Sequence, residues 1–181
     1  MEERKGLAFA GTEPLTVIGK QLHPGEAAPD FSLDYLDLAD MVVRTADLAD
    51  SSGMVRLFSL VNSLERPLCQ RVTQQWEALS ARLPTGACIF TVSTDSPQMQ
   101  AAFQETAGVL HQALSAQCSE QFGQEYGVWL KEWRLLQRAV FVLDRNARIV
   151  YVEYVADQLG EPDYGGAMQV VSSLQGKGDE A

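Results

Sequence analysis

Two near-continuous apolar runs, VRLFSLV at 55–61 and ACIFTV at 87–92, flank a segment with helical periodicity. Runs without polar alternation suit strands buried on both faces of a sheet. Between them Leu68, Val72, Leu79 and Leu83 fall on one helical face, with Trp76 among them. The polar turn 62–67 ends in Pro67, which suits the first turn of a helix, where its missing N–H removes no hydrogen bond. A strand, a helix and a second strand in this order point to a sheet layered with helices.

The rest of the chain extends that unit. Leu7–Phe9 and Leu15–Ile18 read as short strands around a Gly11–Pro14 turn, an N-terminal hairpin, with residues 1–6 loose. Phe31–Leu33 is a short extended piece, Val42–Val43 a further strand, and 45–50 a single helical turn capped by Thr45. After the 87–92 strand, Pro97 opens a helix that Gly108 ends. A short strand at 110–114, a short helix at 119–126 and a strand hairpin, RAVFVL at 138–143 with RIVYVEYV at 148–155, follow. A last helix covers 163–174, and the tail 176–181 is frayed. The hairpin makes the sheet mixed, and the element order is that of a thioredoxin-like α/β fold. All 181 residues fit one domain.

Charge and cysteine usage narrow the function classes. A net charge of −10 with no basic run argues against nucleic acid and against an anionic membrane surface. The N-terminal segment has no long apolar core, so neither a signal peptide nor a membrane span is expected. Three cysteines without a CxxC spacing, and two histidines, make neither a disulfide framework nor a zinc site, and no metal or cofactor is expected. An odd count of free thiols suits a reducing, cytoplasmic setting.

Cys69 stands out by position. It lies at the start of a helix that follows a strand, where unpaired N–H groups and the helix dipole stabilise negative charge. The thiolate is the nucleophilic form of cysteine. Arg66 and Arg71 add positive charge nearby, and Glu65 opposes them. In open sheets of this type ligands meet the carboxyl ends of the strands. The competing reading of Cys69 is a small apolar filler between strand and helix.

Several segments resemble the thiol peroxidase branch of the peroxiredoxins. They are GEAAPDFSL at 25–33, EYGV at 125–128, RLLQRAVFVLDRNARIVYVEYV at 134–155 and EPDY at 161–164, together with the N-terminal hairpin. The resemblance implies a peroxiredoxin fold, with a central mixed sheet covered by helices. It implies that Cys69 is the peroxidatic cysteine, whose thiolate attacks a peroxide and becomes a sulfenic acid. It also implies that Arg138 helps to hold the thiolate and the peroxide, that a thioredoxin-like thiol is the reductant, and that the protein is a homodimer. Trp129 and Trp133 are candidates for that contact or for core packing.

The chain departs from the branch at its signature. The family pattern P-x-x-x-T-x-x-C reads Asn62, Arg66 and Cys69 here. Asparagine is not expected to reproduce the rigid wall of proline. Arg66 can donate to a thiolate or a peroxide, but a guanidinium accepts no hydrogen bond. Where the branch places its resolving cysteine the chain has Gln104, leaving Cys88 in a strand and Cys118 in a loop. The sequence therefore supports a one-cysteine peroxidase or peroxide sensor using Cys69, Arg138 and Arg66. Its rival is a degenerate peroxiredoxin fold kept as a binding or scaffold protein. A disulfide reductase is disfavoured by the absence of CxxC.

Overall fold

In the computed structural model, which describes residues 1–174, the apolar runs of the sequence become the middle of a seven-stranded sheet. The N-terminal half contributes β1 (Glu3–Ala10), β2 (Glu13–Ile18), β3 (Leu33–Asp37), β4 (Val42–Ala46) and β5 (Val55–Leu60). Then come α1 (Pro67–Ser80), β6 (Ala87–Ser93), α2 (Pro97–Ala107), β7 (Gln112–Ser115) and α3 (Glu120–Glu125). The chain closes with β8 (Trp129–Leu130), β9 (Leu135–Leu136), β10 (Ala139–Leu143), β11 (Ile149–Tyr154) and α4 (Tyr164–Ser173).

The large sheet runs β11-β10-β5-β6-β7-β3-β4. β5, β6 and β7 are parallel, and the outer strands pair antiparallel, so the sheet is mixed as expected. Alternation along the central strands separates two cores. Leu57, Val140 and Val142 pack with Val72 and Trp76 of α1 and Ala167 and Val171 of α4. Phe58, Leu60, Phe141 and Leu143 face the opposite side, toward Phe122 and Tyr126. Every residue of β5 and β10 is buried, which is why these segments show no polar alternation. Among the described residues no helix is long and apolar enough to cross a membrane.

Three local features differ from the sequence reading. First, β1 starts at Glu3 rather than Leu7, with Glu3 opposite Ile18 and Arg4 opposite Val17. Arg4 also donates to the carbonyls of Gly19 (2.7 Å) and Gly127 (2.5 Å), so these first residues are held and not loose. Second, Thr45 lies inside β4 and donates to Asp34 Oδ1. The cap of the following 3₁₀ turn (Leu48–Ser51) is Asp47, whose carboxylate accepts from Ala49 N and Asp50 N while Asp50 returns a bond to Asp47 N. Third, β8 and β9 join the N-terminal hairpin in a four-stranded sheet, β1-β2-β8-β9. The tail 176–181 lies outside the described residues.

Close backbone approach fixes that smaller sheet to the main body. Gly19 has φ 105°, and a Cβ there would lie 1.8 Å from the Gln124 carbonyl oxygen. Gly127, with φ 64°, would meet the Lys20 oxygen at 2.2 Å. Only glycine fits either place.

The far end of α1 is tied down by a partly buried hydrogen-bond network. Glu77 Oε2 accepts from the backbone N of His111 (3.0 Å) and contacts its Nδ1 (2.6 Å), while Nε2 meets the Thr91 hydroxyl at 2.8 Å. Burial pushes His111 below the ordinary histidine value, against the raising effect of Glu77. Burial opposes ionisation of Glu77, but the His111 bonds and charge outweigh it and hold the carboxyl below its usual value. Both groups thus bind protons more weakly in the folded chain than in the unfolded one, so the stabilisation is complete above the unfolded values and fades on acidification. The histidine contribution is lost as pH falls below about 6.5 and the carboxylate contribution below about 4.5. The urea midpoint is expected to fall between pH 7 and pH 5, and His111→Gln to flatten that fall. An equal fall in the variant would assign the acid sensitivity to other groups.

Candidate active site

Cys69 is the third residue of α1, at the carboxyl end of β5. Arg66 is the N-cap, with extended backbone and no side-chain capping bond, and Pro67 opens the helix. The first turn therefore presents backbone N–H groups that no side chain of the cap satisfies. The sulfur lies within this turn and is fully buried.

Arg138, the residue before β10, comes to the sulfur from the neighbouring strand. Its Nη2 is 3.2 Å from Cys69 Sγ and 3.4 Å from Asn62 Oδ1. Its Nη1 donates to the carbonyl oxygens of Gln158 (2.7 Å) and Gly160 (2.9 Å). The Nε–H is buried without a partner. Arg138 is 1% exposed. Its hydrogen-bond partners are carbonyl oxygens, an asparagine oxygen and sulfur, with no carboxylate among them. A buried guanidinium whose side-chain partners, among the described residues, include no carboxylate can donate a charge-assisted hydrogen bond to sulfur.

Asn62 is fully buried between β5 and the smaller sheet. Its Nδ2 donates to Leu136 O (2.7 Å) and Gln158 Oε1 (3.1 Å), and its Oδ1 lies 4.0 Å from Cys69 Sγ. The expectation of a loose wall at this position is not met: four hydrogen-bonding contacts lock the side chain. Sequence reasoning did not single out Gln158, whose partner is 96 positions away. A lone glutamine in a loop carries no signal of its own.

A second residue missed in the sequence, Asp95, shapes the turn ahead of α1. Its carboxylate accepts from Ser63 Oγ (2.6 Å), Leu64 N (2.7 Å) and Ser93 Oγ (2.6 Å). A carboxylate fed by three donors ties the end of β6 to residues 63–64 and so sets where the helix begins. The clue was an aspartate in the STDSP turn directly after an apolar strand.

The remaining sequence candidates fall into place around this centre. The Arg66 guanidinium stacks on the Trp133 ring, 4.4 Å from its centroid, and the hydrogen bonds to the sulfur come from elsewhere. Trp129 is 8% exposed and belongs to the main core, while Trp133 is partly buried against β1 and β2. Gln104 donates to His111 O, a structural bond at the place of the missing resolving cysteine. Burial pushes the Cys88 thiol up to about 11, which keeps it protonated and unreactive at neutral pH. Cys118 is exposed, and all three thiols are free.

The chain is similar to known proteins over most of its length. The AhpC/TSA family matches residues 24–152. The chain is 38% identical over 169 residues to the thiol peroxidase of Halalkalibacterium halodurans, covering 92% of this chain and 97% of that one. It is 33% identical over 162 residues to the thiol peroxidase of Bacillus subtilis, covering 89% and 93%. Among solved structures, a peroxiredoxin-like protein from Aquifex aeolicus superposes with a TM-score of 0.81 at 23% identity, over 94% of this chain and 99% of its own. A thiol peroxidase from Chromobacterium violaceum gives 0.77 at 22% identity, over 96% and 98%.

Proposed function

The chain belongs to the AhpC/TSA family of peroxiredoxins, and on that premise we propose that it is a thiol-dependent peroxidase working through a single cysteine, Cys69. The observation that carries this reading is the 3.2 Å contact between Cys69 Sγ and the buried Arg138, at a helix start without a side-chain cap. The thiolate attacks the O–H oxygen of hydrogen peroxide or an alkyl hydroperoxide. The S–O bond forms as the O–O bond breaks, and the distal oxygen leaves as hydroxide or alkoxide and takes a proton from water. An external thiol then attacks the sulfenic sulfur, releasing water, and a second thiol frees Cys69.

Arg138 is the residue that holds the sulfur and the incoming oxygen. Arg66, the N-cap of α1 stacked on Trp133, is the candidate for steering peroxide toward the helix start. The alternative, a fold kept only for binding, rested on the replacements at 62 and 66 and on the missing resolving cysteine. The arginine–sulfur contact and the relatives named thiol peroxidase favour the enzyme. A thioredoxin-like reductant, a cytoplasmic setting and a homodimer belong to the same proposal; a monomeric mass at micromolar concentration would remove the dimer.

The test is single-turnover oxidation of the reduced protein by hydrogen peroxide, with mass spectrometry of each cysteine. Sulfenic acid is expected at Cys69 well before any product at Cys88 or Cys118. Equal, slow oxidation of all three thiols would end the peroxidase reading.

A further inference from the structure

We infer that Asn62 and Gln158 form a polar couple that keeps a hydrogen-bond acceptor at the reactive sulfur: Asn62 Oδ1 receives the O–H of the attacked peroxide oxygen, and Gln158 is the positioning residue that aims it. The inference rests on the peroxidase reading and adds to it the group that orients the substrate.

A hydroperoxide bound for attack carries a proton on the oxygen that sulfur strikes, and that proton needs an acceptor. Neither arginine near the site supplies one, because guanidinium groups only donate. Asn62 Oδ1 is a side-chain oxygen at this position, 4.0 Å from Sγ and 3.4 Å from Arg138 Nη2. A peroxide oxygen seated between Arg138 and Asn62 therefore has a donor on one side and an acceptor on the other.

The polarity of the asparagine amide is decided by its surroundings. Nδ2 faces two acceptors, Leu136 O and Gln158 Oε1. A turn of the amide by half a revolution would set Nδ2 against Arg138 Nη2 and leave Oδ1 facing two oxygens, so the oxygen is held toward the sulfur. Gln158 is fixed by the same logic. Its Oε1 accepts from Arg138 N (2.8 Å) and from Asn62 Nδ2, and its Nε2 donates to Val155 O (2.7 Å) and Ala156 O (3.3 Å). Its backbone oxygen takes Arg138 Nη1. One glutamine thus orients both residues that meet at the sulfur. Both amides are nearly inaccessible, Asn62 at 0% and Gln158 at 2%. Burying two amides is unfavourable unless every donor and acceptor is matched. Here the donors of both amides are matched away from the sulfur, and Asn62 Oδ1 faces Arg138 Nη2 and Cys69 Sγ, so ionisation of the thiol frees one of its lone pairs toward the reaction centre.

In the reaction this oxygen carries no electrons and takes no proton. It holds the O–H of the attacked oxygen while the S–O bond forms and the O–O bond breaks, and it then accepts the same O–H from the sulfenic acid. The distal oxygen still takes its proton from water.

The experiment compares two reagents on the reduced protein. Hydrogen peroxide needs the acceptor; iodoacetamide, which alkylates the same sulfur, has no O–H to place. In Gln158→Leu, a replacement of similar size, the second-order rate constant with hydrogen peroxide is expected to fall at least about tenfold, the effect of losing one well-placed hydrogen bond, while alkylation stays within about threefold. Asn62→Leu is read in the same way and keeps the test decisive if the first variant folds poorly, which near-UV circular dichroism reports. A peroxide constant within about threefold of wild type, or an equal fall with both reagents, overturns the inference, because a purely structural couple affects both alike. A wild-type protein no faster with peroxide than a free thiol overturns the peroxidase reading and the inference with it. A fast wild type with indifferent variants overturns the inference alone.

Discussion

Cys69→Ser is expected to reduce peroxide consumption to the uncatalysed background while leaving the fold in place. Serine is nearly isosteric, and its hydroxyl keeps the donor Arg138 Nη2 beside it. The cost in stability is therefore small, about 1 kcal/mol or less. The chemistry is lost completely, because a hydroxyl neither ionises at neutral pH nor reduces an O–O bond as sulfur does. Peroxide decay in the presence of a dithiol, followed alongside thermal unfolding, checks both halves. Retained turnover would transfer the activity to Cys118, the one exposed thiol.

Arg138→Met carries the second large effect. A hydrogen bond to a charged partner contributes about 1.5–3 kcal/mol, which converts to roughly ten- to a hundredfold in rate. Here the same side chain also provides the positive charge beside the sulfur, so a fall of about a hundredfold or more in the peroxide rate constant is expected. Unlike the Gln158 variant, this one should slow alkylation as well, since the thiolate itself loses its partner. The carbonyl oxygens of Gln158 and Gly160 lose Nη1 and stay buried, at about 1–3 kcal/mol, partly offset by removing a buried cation. Arg138→Lys should fall between, because a single ammonium cannot reach the sulfur and both carbonyls at once. Stopped-flow rates within about threefold of wild type for the methionine variant would detach the sulfur from the guanidinium.

The sheet was legible because its central strands are largely buried, so 55–61, 87–92 and 138–143 stand out as near-continuous apolar runs. The hairpin β8–β9 was not, since strands of two residues have no period to detect. Its existence depends on pairing with β2, which is a tertiary fact. Thr45 was the expected cap, but it pairs in β4 opposite Asp34, and the cap falls two residues on, at Asp47, where the strand has ended. Charged residues 3–5 disguised the start of β1, yet an edge strand in a small sheet tolerates them on its open side.

The site divides along the same line. Cys69 was found from its place between strand and helix, and Arg138 from the family likeness of its segment. Their contact spans 69 positions. In the sequence, position 62 looked like the loss of a rigid wall, and Arg66 like a donor that cannot accept a hydrogen bond. The structure makes position 62 part of a closed network and turns position 66 toward Trp133. Compensation of this sort is invisible along the chain, because the residue that answers Asn62 is Gln158.

The uncapped start of α1 has a consequence for turnover. The chain segment at residues 63–64 is clamped by Asp95, whereas the helix start that follows has no side-chain cap. A missing cap lowers the free energy of fraying by about 1 kcal/mol. The sulfur, buried when it meets peroxide, has to be reached by a bulky thiol afterwards. Small oxidants diffuse into a closed turn, whereas a protein reductant waits for an open one. With a protein thiol as reductant, access to Cys69 is expected to follow the opening of this one turn of helix, a local equilibrium separable from the global stability of the molecule.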